Sequence, residues 1–147
     1  MIKQVLTTSL IALGIGYICQ LAQTAGQSQY LNDFLKANLI TLLIALLAIN
    51  SATMGIVLTK IRELIDKKGV GSESFSATKS EMLLSIKEQV GLIALSVILL
   101  TLNDSVFVLN NSELKSGMSV AICSIFAYSL LNLYDTAKSV IIIIDYD

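Results

Sequence analysis

The chain has 147 residues, of which 54% are hydrophobic and 14% are charged, with a formal net charge of −1. A soluble domain carries about 25% charged residues, so a core of this size cannot hold the apolar excess and lipid must cover part of it. The sequence has no histidine and no basic arm, which argues against His-dependent catalysis and against direct nucleic-acid binding.

The first span is predicted at residues 4–22, a stretch without any charge. It has the outline of a signal peptide, but Gln23 is a poor −3 residue for a cut after Ala25, so we expect the segment to be retained as a helix. Ala12 and Gly16 stand four residues apart, a spacing that lets a second helix approach closely.

The second span is predicted at residues 38–59, long enough to cross a bilayer, which takes roughly 20 apolar residues. Small and polar side chains recur along it, which is typical of a face that packs against another helix. The alternative is a polar stripe that lines a pore. These candidates for helix packing or a pore are Ala48, Asn50, Ser51, Ala52 and Gly55.

Residues 60–88 are predicted to form a helical cytoplasmic hairpin between the second and third spans. The second span runs without a proline into KIRELIDKK. There Ile61, Leu64 and Ile65 form an apolar strip at i, i+3 and i+4, with charged side chains on either side. This strip is a candidate surface for another protein or for another part of the chain.

The second arm of the hairpin leads into the third span, predicted at residues 88–107. Thr78 and Glu81 match a capping box, so we expect one long helix from about Thr78 to Asn103. Its uninterrupted apolar part, VGLIALSVILLTL, has 13 residues and is short for a full crossing. Either the span extends to Leu109 or the bilayer thins locally.

The fourth span is predicted at residues 117–134, followed by a cytoplasmic tail at 135–147. The tail holds five β-branched residues in succession, Val140–Ile144, a run typical of strands and prone to aggregate when exposed. We expect the hairpin, lipid headgroups, a second copy or another protein to cover it. The fourth span also carries a ridge of small residues at a spacing of four, Ser119, Cys123 and Ala127.

The distribution of basic residues predicts the topology. With four spans, the N-terminus, residues 60–88 and the C-terminus share one side, and eight of the ten basic residues lie there. Only Lys36 and Lys115 lie on the other side. The positive-inside rule therefore predicts cytoplasmic N- and C-termini in a bacterial inner membrane.

No motif in the chain predicts an enzyme, a cofactor or a metal site. There is no histidine to activate a serine or cysteine nucleophile. No charge falls at the centre of a predicted span, which argues against a transporter. The acidic residues of residues 60–88 are interpreted as solvated faces, with a carboxylate pair or a divalent-metal site as the alternative. They are Glu63, Asp66, Glu73, Glu81 and Glu88.

The predicted fold is all-α: a single membrane domain in which four spans form a helix bundle, with the helical hairpin between spans two and three. The four spans, the basic hairpin from Lys60 to Lys87 and the tail resemble the small four-span membrane subunits of prokaryotic antiphage defence operons, in particular the KwaA family of Kiwa-type systems. The likeness is a hydropathy pattern over the whole chain and transfers no functional residue. It implies a homotetrameric inner-membrane sensor that docks a cytosolic, DNA-binding effector and carries no catalysis itself.

These patterns favour a non-enzymatic, oligomeric membrane protein that acts as a sensor or scaffold for a cytosolic protein. The alternative is a pore-forming effector of the holin or toxin kind, and a small transporter subunit is the third hypothesis. The predicted partners are further copies of the chain, membrane lipid and one soluble protein. The candidate partner-binding residues are Lys60, Ile61, Arg62, Leu64, Ile65, Lys67, Lys68, Phe75, Val140, Ile141, Ile142, Ile143 and Ile144.

Overall fold

A computed structural model describes residues 2–68 and 75–144, without the side chains of residues 2, 68, 139 and 142–144. No strand occurs in either range, which confirms the all-α prediction. The helices are α1 (Ile2–Ala25), α2 (Tyr30–Lys68), α3 (Ser76–Asn103), α4 (Val106–Leu109) and α5 (Ser112–Ile144).

Four of these helices are long and apolar enough to cross a membrane, so the chain has the make-up of a multi-pass membrane protein. Their number agrees with the four spans expected from the sequence. With 39 residues, α2 is roughly 58 Å long, about twice the thickness of a bilayer's hydrocarbon core. The candidate spans are Lys3–Ala25, Tyr30–Lys67, Ser76–Asn103 and Ser112–Lys138.

The third long helix ends where the sequence predicts, at Asn103, but it begins two residues early. Its first residue is Ser76, and Phe75 precedes it without a side-chain cap. The predicted capping box is therefore wrong: Thr78 lies inside the first turn, where it cannot act as the N-cap residue.

The predicted tail and the fourth span are a single helix. α5 continues to Ile144, so the β-branched run is helical and not extended as far as it is described. Val140 packs against a buried cluster, and this packing outweighs the strand propensity of the run. We call this group the lower cluster: Met54, Val57, Ile61, Leu64 and Met82.

The helix α5 is the centre of the fold, since α1, α2 and α3 all pack against it. Half of the apolar 18-residue stretch of α5 is buried, against 22% of the corresponding stretch of α2 and 11% of those of α1 and α3. Its buried residues Ile122, Cys123 and Ile125 join an upper cluster with three leucines of α2. Those three are Leu35, Leu39 and Leu43.

The contact between α1 and α5 is close because Gly16 has no side chain. A Cβ atom on Gly16 would lie 2.7 Å from the carbonyl oxygen of Val120 and 3.0 Å from the amide nitrogen of Ser124, and closer still to the Ser124 hydroxyl. Ala12, one turn earlier, is also buried beside Ala127 and Tyr128. The backbones of the two helices thus meet along this edge of α1.

Candidate functional site

The apolar strip of the predicted hairpin is used within the chain. Ile61 and Leu64 are buried in the lower cluster, and Ile65, Phe75 and Val140 pack against it half-buried. Within the described residues, the strip and Val140 of the tail segment therefore contact the same cluster.

The remaining candidate partner residues are not buried in the lower cluster. Arg62, Lys67 and Ile141 are exposed, and Lys60 is half-buried and has an interaction partner. The side chains of Lys68, Ile142, Ile143 and Ile144 lie outside the described residues. The charged residues Arg62 and Lys67 of α2 are thus accessible at this end of the chain.

The small residues predicted for helix packing fall into two groups. Ala12 and Gly16 of α1, and Ser119, Cys123 and Ala127 of α5, are buried. The second group is exposed on the outer surface of α2: Ala48, Ser51, Ala52 and Gly55. The first group packs within the chain, whereas the second leaves a smooth strip of α2 open.

The most buried candidate, Asn50, belongs to a hydrogen-bonded network that joins three helices. Its Nδ2 donates to Ser85 Oγ at 2.9 Å and to Gln89 Oε1 at 3.1 Å. Ser85 Oγ in turn donates to Asn132 Oδ1 at 2.6 Å. Asn50 is 0% exposed, so it faces the interior of this chain and not a shared axis between copies.

Two amide atoms of this network are left without a hydrogen-bond partner among the described residues. They are Asn50 Oδ1 and Gln89 Nε2, and Gln89 is only 2% exposed. Buried polar atoms in proteins are nearly always paired with protein, water or a ligand. Asn50 Oδ1 can therefore accept, and Gln89 Nε2 can donate, a further hydrogen bond.

Next to the network lies a carboxylate, Glu88, held by a tyrosine. Tyr128 Oη donates to Glu88 Oε2 at 2.9 Å, and both side chains are at least half-buried. The hydrogen bond joins α3 to α5 and fixes the direction of the carboxylate.

Glu88 and Ser85 line a cleft between α1, α2, α3 and α5, which we call the acidic cleft. Its empty volume, open mouth included, is about 690 Å³. Three carboxylates line it, and none of its described lining side chains is basic. The lining residues include Thr8, Met54, Val57, Glu81, Met82, Ser85, Glu88, Tyr128, Asn132 and Asp135.

Glu88 lies within the candidate span Ser76–Asn103, fifteen residues before the last residue of α3. Ionisable residues are rare in spanning helices and often mark functional sites there.

This site is not predicted from the sequence, although one signal points to it. The apolar part of the predicted third span is short, and the turn before it holds Ser85, Glu88 and Gln89. These residues lie on one side of α3 at i, i+3 and i+4, where α2 and α5 cover them. A short span that continues into polar residues at helical spacing is the pattern that could have revealed it.

Comparison of the chain with protein-family models, with curated proteins and with solved structures finds no match. The function is therefore inferred from the geometry of the cleft and of the charged end of α2.

Replacing Asn50 with leucine should lower the free energy of unfolding by about 1–2 kcal/mol. Two hydrogen bonds between helices are lost, each worth about 0.6 kcal/mol on average in a membrane protein, and Gln89 is left unpaired. Thermal unfolding in detergent, followed with a thiol-reactive dye that detects exposure of the buried Cys123, measures the change. The matched control is Asn38→Leu, because Asn38 donates only within its own helix, to Phe34 O. Equal unfolding temperatures for the two variants would contradict the prediction.

Proposed function

We propose that the chain is a non-enzymatic, oligomeric inner-membrane protein that acts as a sensor or scaffold and docks a cytosolic effector. In this proposal the four long helices form a bundle in the membrane, both termini are cytoplasmic, and the adjoining ends of α2 and α3 form a cytoplasmic hairpin. The excess of basic residues at this end supports the orientation. The resemblance to the membrane subunits of Kiwa-type systems supports a role in antiphage defence.

The proposal rests on one observation: the end of α2 is packed against the lower cluster on one side and presents charged side chains on the other. Ile61 and Leu64 anchor the end of α2 in the lower cluster, while its other side presents exposed charges. We call these the charged face: Arg62, Glu63, Asp66 and Lys67. Fixed charges of both signs suit recognition of a complementary protein surface, because they steer the encounter and reject partners of the wrong pattern.

The open strip of small residues on α2 supports self-association. Large apolar side chains are exposed on the other spans, as at Leu10 and Ile18 of α1 and Ile98 of α3, and they suit contact with lipid tails. Around Ala48 and Ala52 the surface is smooth, which allows the backbone of a second copy to approach closely. This surface is our proposed contact between copies, and a tetramer is the assembly that the resemblance favours.

Affinity purification of the tagged protein in mild detergent tests the proposal, with mass spectrometry of bound proteins and the native mass of the complex as readouts. We expect a discrete homo-oligomer that carries one soluble protein in fixed stoichiometry. The double variant Arg62→Glu, Lys67→Glu should lose the soluble protein and keep the oligomer. Lys115→Glu is the control, because Lys115 is an exposed lysine at the opposite end of α5. An oligomer that purifies alone, or a partner retained by the double variant, would overturn the docking proposal.

A small transporter is the second candidate, and the position of Glu88 favours it. A carboxylate within a spanning helix, beside a cleft with polar and apolar walls, is a common feature of substrate pathways. This candidate predicts saturable uptake of whatever the cleft binds.

A further inference from the structure

Four helix ends meet at one end of the molecule, which we call the upper end. Gln20, near the end of α1, donates from Nε2 to the Oγ atom of Ser116, near the start of α5, at 3.4 Å. Leu35, near the start of α2, belongs to the upper cluster, and Leu99, near the end of α3, packs against this cluster. The short helix α4, which links α3 to α5, therefore lies at the upper end.

At the upper end, α4 turns most of its apolar side chains outward. Val106 and Phe107 are 73% and 74% exposed, and Leu109 is exposed as well, whereas Val108 is buried. The chain reaches α4 directly after Leu102, the last of several exposed apolar residues on α3. Such a surface is unfavourable in water and matches lipid tails. The exposed apolar surface of α3 thus continues along the chain into α4.

The backbone of the connection between α3 and α5 is hydrogen-bonded within the chain. The amides of Ser105, Leu109 and Asn110 donate to carbonyl oxygens three or four residues earlier, at 3.0, 3.0 and 3.1 Å. Asn111 Oδ1 accepts from the amide of Glu113, at the start of α5, at 3.1 Å. Backbone outside a long helix is costly near lipid tails unless its polar groups are paired. These hydrogen bonds therefore allow α4 to lie where water is scarce.

A second element carries exposed aromatic residues at the same end. Tyr30 and Phe34, in the first turns of α2, are exposed and stack with their ring centroids 6.2 Å apart. Exposed polar side chains stand beside both apolar groups, Asp33 on α2 and Asp104 before α4. Tyrosine is enriched at the level where a membrane protein passes from lipid tails to headgroups. The upper end thus has the composition of a membrane interface on two separate elements.

We propose that α4 lies in the lipid interface of the membrane at the upper end, with Val106, Phe107 and Leu109 inserted among the outer parts of the acyl chains. Lipid fits this surface better than a second copy or a soluble protein, because the surface continues the apolar side of a candidate span and has a counterpart at Tyr30. The chain then completes its third crossing through α4 and not through a longer α3, which ends at Asn103. The proposal goes beyond the docking function and depends neither on a protein partner nor on which side is cytoplasmic.

The sequence contains no tryptophan, so Phe107→Trp gives the full chain a single tryptophan. Its fluorescence is measured in phosphatidylcholine vesicles whose acyl chains carry bromine atoms either near the headgroup or near the bilayer centre. Bromine quenches tryptophan at short range and therefore reports the depth of the side chain. We expect emission at a shorter wavelength than that of tryptophan in water, and stronger quenching by the shallow bromines than by the deep ones.

Leu95→Trp is the matched control, because Leu95 is exposed on α3 eight residues before Asn103. At roughly 12 Å from that end of the helix, it lies on this proposal near the centre of a hydrocarbon layer about 30 Å thick. We therefore expect the reverse order for this variant, with stronger quenching by the deep bromines.

Leu109→Trp repeats the test if Phe107→Trp does not fold, since Leu109 is exposed on the same short helix. Quenching by aqueous iodide and not by brominated lipid would show that α4 faces water. Emission at short wavelength without quenching by either agent would show that a second copy or another protein covers α4. Stronger quenching by the deep bromines, as for Leu95→Trp, would place α4 inside the hydrocarbon core. Each of these three results would overturn the proposal.

Discussion

Replacing Gly16 with leucine should separate α1 from α5 and lower the free energy of unfolding by several kcal/mol. Even a single Cβ atom at this position would overlap the Val120 carbonyl and the Ser124 backbone, so a leucine side chain has no room. Overpacking a well-packed contact costs about 1–3 kcal/mol, and more when the obstacle is backbone that cannot rotate away. Since α1 packs mainly on α5, displacement at Gly16 affects the attachment of the whole helix.

The thiol-reactive dye assay measures this change through Cys123, a buried residue of α5 in the upper cluster. We expect the midpoint of thermal unfolding to fall by about 10 °C. Gly14→Leu, two residues earlier in the same helix, is the matched control, because nothing lies within 4 Å of a Cβ at that position. If both variants unfold at the wild-type temperature, the close contact between α1 and α5 is wrong.

Replacing Ile61 with alanine should destabilise the extended end of α2 by about 2–5 kcal/mol, the range for removing a large aliphatic side chain from a core. Ile61 is 1% exposed and packs with Met54, Val57 and Met82. The cavity would loosen the attachment of α3 and of the end of α5 together, because Val140 rests on the same cluster.

Hydrogen exchange of residues 54–67 and 136–141 reports this loosening directly, as faster exchange in both segments. The matched control is Ile56→Ala, five residues earlier in the same helix, because Ile56 is 65% exposed. We expect exchange in that variant to match the wild type. Faster exchange in the α2 segment alone would show that the end of α5 does not depend on the cluster.

The spans were predictable because hydropathy and length decide whether a helix can cross a bilayer, and neither depends on the neighbours of a residue. The same reasoning correctly continued the helix past Thr59 to Lys68, since nothing between these residues breaks a helix. The tail was read as a strand-forming run because Val140–Ile144 has high strand propensity in isolation. In the structure the run continues α5, and Val140 meets α2 and α3, a contact between residues far apart in the chain.

The acidic cleft was not predictable for a related reason. Glu88 follows Lys87 at the point where charges give way to apolar residues, so the sequence alone favours the solvated end of a helix. Only the packing shows that Tyr128, forty residues later, lies opposite this carboxylate. Similarly, Asn50 could line a pore or pack between helices, and its neighbours Ser85 and Gln89 decide between these readings for the single chain.

The central position of α5 has a consequence for how the protein is made. Chains are synthesised from the N-terminus, so α1, α2 and α3 leave the ribosome before the helix on which they converge. Until α5 follows, the Gly16 edge of α1 lacks its neighbour, and Ser85 of α3 lacks its acceptor Asn132. Assembly of the domain is therefore a late event in biosynthesis, and a chain truncated before Ser112 leaves three inserted helices without the element that joins them.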